Sequence, residues 1–182
     1  VKVILISGKA RHGKDTVAKI MKTYLEARHG QKVLIAHYAD LLKYICKTFL
    51  DWDGKKDEKG RTLLQHVGTE VLRRKDPDIW VDFIIKITTL LDCRWDYIII
   101  PDARFPNEVS KWRAFGYEPL HIRVVRDDFT GNLTKNQQNH PSEVALDSMK
   151  PDFYIHNNGT LGSLTEKIIS LVEEKIVDGR NE

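Results

Sequence analysis

An α/β fold with a mostly parallel sheet of about five strands is what this sequence predicts, and three observations predict it. Apolar runs alternate along the chain with stretches of helical periodicity, the pattern of a sheet with helices on its faces. Residues 97–100, Tyr-Ile-Ile-Ile, are continuously apolar, as befits an interior strand covered on both faces. The first apolar run, 3–6, turns through Gly8-Lys9-Ala10-Arg11-His12-Gly13-Lys14-Asp15-Thr16 directly into a helical pattern. A strand, a glycine-bounded turn and a helix in that order make a phosphate-binding arrangement.

Each element can be justified in turn. Val17, Ile20, Met21, Tyr24 and Leu25 recur at helical spacing, and Gly30 ends that helix. Residues 33–36 read as a second buried strand, running on through His37-Tyr38-Ala39-Asp40. A helix over 41–50 carries Leu42, Ile45, Cys46 and Phe49 on one stripe. Residues 51–60, DWDGKKDEKG, are charge-rich and bounded by glycine, which predicts a solvated loop. Two helical patterns fill 61–91, divided at Asp76-Pro77-Asp78, because a proline ends one helix and suits the start of the next. The first carries Leu64, Val67, Val71 and Leu72, and the second Trp80, Phe83, Ile84, Ile87 and Leu91. A helical insertion, 40–91, therefore separates the second strand from the third.

After the third strand at 97–100, a short helix over 107–115 is closed by Gly116, and a fourth strand covers 121–125. Residues 127–139 are polar and turn-rich, the composition of a mobile loop. With the short helical piece after His140-Pro141-Ser142-Glu143 they form a lid-like segment, 127–150. A last strand is expected at 153–155. Ser163-x-x-Glu166 resembles a capping box opening a terminal helix, with Leu164, Ile168, Leu171, Val172 and Ile176 inward and a frayed tail at 178–182.

Composition bounds the rest. The 182 residues fit one domain, 1–182, and 41% hydrophobic against 30% charged content excludes a disordered chain. A net charge of +3 gives no argument for nucleic acid or a membrane surface. No run approaches the roughly 20 apolar residues of a membrane span, and the first apolar run leads into the glycine turn, not into a cleavage site. Cys46 and Cys93 form no motif and read as buried thiols in a reducing, cytoplasmic setting. The seven histidines form no metal-binding cluster, so a protein-ligated catalytic metal has no support. The assembly state stays open, with a homodimer one option.

Ligands of an open α/β sheet bind at the carboxyl ends of its strands. Polar residues follow every strand there: the glycine turn after the first, Asp40 after the second, Asp102 and Arg104 after the third, Arg126 after the fourth and Asn157 after the fifth. The turn has the G-x-x-x-x-G-K spacing of a Walker A phosphate loop, or P-loop. Gly8 and Gly13 let successive N–H groups converge, the helix start adds its free amides, and Lys14 supplies a mobile charge for the β- and γ-phosphates. Asp15 stands where a hydroxyl is usual. It reads equally as a Mg²⁺ ligand, direct or through water, and as an acid stabilising the helix start. Thr16 suits the α-phosphate or the Mg²⁺ side. Asp102 suits the Mg²⁺ side or a strand-end turn. Arg104 suits a bidentate grip on phosphate or a structural ion pair with Asp102 or Glu108. Of Arg73 and Arg74, one can face a substrate phosphate and the other solvent. Gln65, Gly68, Thr69 and Glu70 share spacings that could line a pocket. Trp80 reads first as core. His140 and Glu143 read first as loop residues, and His37 as structural.

The loop GKARHGKDTVA resembles that of the deoxynucleoside monophosphate kinases of phage and their bacterial relatives. The resemblance continues in Tyr38-Ala39-Asp40, GTEVLRRKDPDIWV, PDARFPNEV, HPSE and IHNNGTLGSL, so it spans nearly the whole chain. It implies a three-layer P-loop NTPase fold and an ATP- and Mg²⁺-dependent kinase that converts a deoxynucleoside 5′-monophosphate to its diphosphate. It implies that Gly8 to Thr16 bind the ATP phosphates and that Asn157 lies near the adenine. Arg73, Asp102, Arg104 and Glu108 would line the acceptor side. Arg126 and the segment from His140 to Glu143 would belong to the closing lid. Lys14, Arg73, Arg104 and Arg126 would form the catalytic set, with Asp40, Gln65, Thr69, Arg74 and Trp80 on the substrate side. Residues 127–139 contain no arginine, although kinases of this type generally bring lid arginines to the transfer site. Arg123 or Arg126 would substitute, or the charge would come from the insertion. The alternatives are a kinase for another phosphorylated metabolite, since animal phosphomevalonate kinases share the G-K-x-x-x-G-K-D loop, and a nucleotide-binding switch without transfer activity.

Overall fold

The computed structural model describes residues 1–91, 94–127, 129 and 133–177. Cys93 and the tail expected to fray lie outside the described residues, as does part of the loop expected to be mobile. Five strands form one sheet: β1 (Lys2–Ser7), β2 (Val33–Ile35), β3 (Tyr97–Ile100), β4 (Leu120–Val125) and β5 (Phe153–His156). Their order is β2-β3-β1-β4-β5, and every neighbouring pair is parallel. The central register aligns Leu5 with Ile100 on one side and His121 on the other, so the strands end together along one edge.

Alternation along β1 divides the core. Val3 and Leu5 face one layer with Ile98, Ile100, Trp80 and Trp112. Ile4 and Ile6 face the other with Val17, Met21, Ile122 and Ile168. Helices α1 (Lys14–His29) and α8 (Leu161–Leu171) cover the second face. The first is covered by α2 (Ala39–Phe49), α3 (Glu58–Gln65), α4 (Ile79–Leu90) and α5 (Pro106–Ala114). This is the three-layer sandwich the sequence predicts.

Several local expectations change. Helix α3 starts at Glu58, within the stretch expected to be a solvated loop. Asp57 caps it by accepting from the Gly60 amide, and Gly60 is buried under Lys55, where a Cβ would meet the Lys55 carbonyl at 2.0 Å. The helix then runs on in π-helical form over His66–Arg73. Its Gly68 packs against Leu42, which would lie 2.6 Å from an added Cβ. The terminal helix is capped by Thr160, which accepts from the Ser163 amide, and not by Ser163 itself. Within 133–144, two short helices form, α6 (Lys135–Gln138) and α7 (Pro141–Val144).

Candidate active site

The loop between β1 and α1 is built on two glycines. Gly8 has φ 139°, and a Cβ there would stand 2.3 Å from the Val124 carbonyl oxygen. Gly13 has φ 98°, and its Cβ would fall 2.6 Å from Asn157 Nδ2. Asn157 also donates to the His12 carbonyl at 3.0 Å, so β5 clamps the loop from outside. The Lys14 ammonium curls back to donate to the carbonyls of Gly8 (2.7 Å) and Lys9 (2.8 Å). Burial lowers its pKa to about 8, with Arg104 acting in the same direction and Glu143, Asp102 and Asp15 opposing.

Asp15 is exposed and paired with His37, whose Nε2 lies 2.8 Å from Asp15 Oδ1. The hydrogen bond holds the Asp15 carboxyl below the usual range and raises the His37 pKa. Asp102 accepts from the Tyr38 and Ala39 amides, both at 3.0 Å, and so fixes the start of α2 to the end of β3. Tyr38 is buried, and its hydroxyl accepts from Trp112 Nε1 at 2.8 Å. Asp15, Thr16 and Asp102 offer hard oxygen donors, which suit Mg²⁺ carried with a nucleotide. Among the described residues no cluster of His, Cys, Asp and Glu could hold a metal by itself.

A cavity of about 180 Å³ opens between the β3 end and the insertion. Gln65, Gly68, Thr69, Arg73, Trp80, Asp102 and Arg104 line it, with Glu108 and Glu143, so nine of the residues singled out from sequence meet there. Arg73 is held by Glu108 at 2.7 Å and by the Pro77 carbonyl at 3.0 Å, with its guanidinium 4.0 Å from the centre of the Phe105 ring. Glu108 is fully buried. Its second oxygen accepts from the Arg104 (2.6 Å) and Phe105 (3.1 Å) amides, and burial raises its pKa against the pull of Arg73. Arg104 therefore does not pair with Asp102 or Glu108 through its side chain. Its guanidinium donates to the Ser142 carbonyl and to the Glu143 carboxylate. Glu143 is buried beside Lys14, and its other oxygen has no hydrogen-bond partner among the described residues.

Other candidates stand apart. Arg74 is exposed and outside the cavity. Asp40 pairs with Lys43 at 2.7 Å and does not line the cavity. His140 caps α7 by accepting from the Ser142 amide, the loop role its sequence suggests. Trp80 is buried and donates to the Gly68 carbonyl, so its ring is mainly core with an edge on the cavity. Arg126 is exposed and stacks over Phe129 at 4.8 Å. Arg123 donates to the carbonyls of Leu146, Asp147 and Met149, which removes it as a free lid arginine.

A second cavity, of about 470 Å³, lies along the glycine loop and is lined by Lys9, Arg11, His12 and Phe129 among others. Lys9 crosses it to the Glu143 carbonyl (2.6 Å) and the Asp147 carboxylate (2.6 Å). Three residues of this region escaped sequence reasoning. Arg61 lines both cavities, and Lys56 lines the one beneath the insertion. Gln137 is buried and donates to the Glu58 carbonyl and Thr62 hydroxyl, both at 3.1 Å, which docks α6 onto α3. Only the lid-like segment's lack of arginine hinted that a cation would come from the insertion.

The sequence model of the family described as deoxynucleotide monophosphate kinase matches residues 38–168, from the start of α2 into α8. The chain belongs to the deoxynucleotide monophosphate kinase family. The match covers the cavity beneath the insertion and the Lys135–Val144 helices but begins after the glycine loop, so the loop stands on its own sequence and geometry. The deoxynucleotide monophosphate kinase of Enterobacteria phage T4 is 33% identical over 110 residues, 59% of this chain and 43% of that protein. That of Escherichia phage RB69 is 31% identical over 110 residues, 59% of this chain and 42% of the relative. Each alignment thus spans less than half of the relative's length. Among solved structures, dephospho-CoA kinase from Campylobacter jejuni superposes with a TM-score of 0.54 at 14% identity, covering 95% of this chain and 96% of that one, and shares the fold. Among the described residues no helix is long and apolar enough to cross a membrane.

Proposed function

We propose that this protein transfers the γ-phosphoryl group of ATP to the 5′-phosphate of a deoxynucleoside monophosphate. The observation that carries the reading is the meeting of two cavities at one sheet edge: one along the Gly8 to Lys14 loop, the other beneath the family-specific insertion and ending at Arg104 and Asp102. The glycine geometry supports a phosphate cradle, since both residues hold positive φ and a side chain at either would strike Val124 or Asn157 and force the loop out of shape.

In this reading Lys14 leaves the Gly8 and Lys9 carbonyls for the β- and γ-phosphates, and its ammonium regains full protonation beside those anions. Arg104 and the insertion orient the acceptor phosphate, which is already anionic, so in-line attack needs no strong general base. Mg²⁺ accompanying ATP would be held on the Asp15, Thr16 and Asp102 side, where it supplies neutralising charge for the β- and γ-oxygens. Gln65, Thr69 and the edge of Trp80 line the end of the cavity available to the base. Small nucleotides are the partners of this reading, in a cytoplasmic setting.

A coupled ADP-release assay tests it, run against deoxynucleoside and ribonucleoside monophosphates and phosphomevalonate. Turnover with at least one deoxynucleoside monophosphate is expected. Turnover with phosphomevalonate alone, or ATP binding without turnover of any acceptor, would overturn it.

A further inference from the structure

Arg61, Leu133 and Glu143 are shared by the linings of the two cavities. Arg61 is the cation of the three, and Glu143 is already engaged by Arg104. The Arg61 Nε donates to the Lys56 carbonyl at 3.0 Å, which orients the guanidinium from behind. Its two terminal nitrogens have no hydrogen-bond or ion-pair partner among the described residues. The mount is firm. Asp57 caps the helix, buried Gly60 packs against Lys55, and Gln137 latches α3 to α6. Arg11 lines the glycine-loop cavity only, and the other arginines near this edge are committed or displaced. Arg73 is bound by Glu108, Arg104 by Glu143 and Ser142, and Arg123 by three carbonyls, while Arg126 stacks on Phe129.

We propose that Arg61 is the catalytic arginine that grips the phosphoryl group in transit, contacting the γ-phosphate from one cavity and the acceptor phosphate from the other. This assignment rests on the kinase reading above. An acceptor phosphate oxygen forms the new P–O bond as the bond from the γ-phosphorus to the β,γ-bridging oxygen breaks. The electron pair stays on that oxygen, which leaves with ADP, and Arg61 remains protonated throughout. Its free fork suits charge that spreads over the equatorial oxygens as the bond exchange proceeds. Lys56 lines the acceptor-side cavity alone, so its charge serves acceptor binding.

Steady-state kinetics of Arg61→Ala, Arg61→Lys and Lys56→Ala test the assignment, with ATP affinity and thermal unfolding measured on each. Arg61→Ala should lower kcat about 10²- to 10³-fold while ATP affinity stays within about threefold, and added ethylguanidinium should restore part of the rate. Arg61→Lys keeps the charge without the fork and should lose about tenfold or more in kcat even if the alanine variant does not fold. Lys56→Ala should raise the acceptor KM with kcat nearly unchanged. An active wild type whose folded Arg61 variants keep kcat within about threefold, or change only KM, would overturn the Arg61 assignment and leave the kinase reading standing. A wild type that turns over no deoxynucleoside monophosphate would overturn both.

Discussion

Arg73 Nη2 donates to Glu108 Oε1 at 2.7 Å beneath the acceptor-side cavity, and both side chains are buried. The pair joins the last turn of the π-helical stretch, within the insertion, to the first turn of α5. Glu108 also accepts the Arg104 and Phe105 amides, so one carboxylate sets the backbone from which Arg104 projects. Removing one partner leaves an uncompensated buried charge. Glu108→Ala should therefore destabilise the fold by about 3–5 kcal/mol in urea denaturation. The double replacement Arg73→Met with Glu108→Leu should recover much of that stability, and recovery no better than the single variant would count against the ion-pair account.

Lys14 gives a pH signature. Its folded pKa, about 8, lies below its ordinary value of 10.5, so between those limits the unfolded chain binds more protons than the folded one. Wild-type stability should rise with pH across that window relative to Lys14→Met, by about 3 kcal/mol in total. Denaturation midpoints of both proteins from pH 7 to 10.5 measure the difference, and parallel curves would contradict it. Lys14→Ala should fold yet lose phosphoryl transfer almost completely in the ADP-release assay.

The His37–Asp15 pair titrates at both ends. The raised His37 pKa means its contribution is complete below the ordinary value of 6.5 and is lost as pH climbs through the raised value. The lowered Asp15 pKa means its contribution is present above the ordinary 3.8 and disappears as pH falls through the depressed value. The pair is therefore intact between the two. An NMR titration should place the His37 midpoint above 6.5 in the wild type and lower in Asp15→Asn. An unchanged midpoint would remove the hydrogen bond as its cause.

Gly8→Ala is the sharpest probe of the loop. The added methyl would strike a backbone oxygen of β4 at 2.3 Å, in a backbone conformation that alanine resists. ATP affinity measured by calorimetry should fall at least tenfold. Thermal unfolding should register a loss of about 1–3 kcal/mol.

Gln137 offers a test of the docked segment. Gln137→Ala removes the amide that ties α6 to the Thr62 hydroxyl and Glu58 carbonyl, so hydrogen exchange in α6 and the first turn of α3 should accelerate together. Acceleration confined to α6 would mean that the two helices are not coupled through this amide.

The fold was legible because parallel strands buried on both faces leave continuous apolar runs, and 3–6 and 97–100 are such runs. The glycine loop was legible because spacing and backbone geometry are the same constraint. What the sequence concealed depends on distant pairing. The stretch 51–60 has the composition of a solvated loop, yet Gly60 is buried there against Lys55 and Trp52. Gln137 is one amide in a polar stretch, and its partners stand 75 and 79 residues away. Arg61 follows DEKG and looks like one more surface charge, and its place between two cavities exists only after α3 packs. The choice between Ser163 and Thr160 as cap turned on where the chain leaves β5, which no local motif records.

Arg123 carries a mechanical consequence. By binding the carbonyls of Leu146, Asp147 and Met149, it pins the far end of the 133–149 stretch to β4, a central strand of the sheet. Because β4 is hydrogen-bonded on both sides, to β1 and β5, this end of the stretch is tied to the interior of the sheet. Any movement proposed for the stretch must leave that anchor in place.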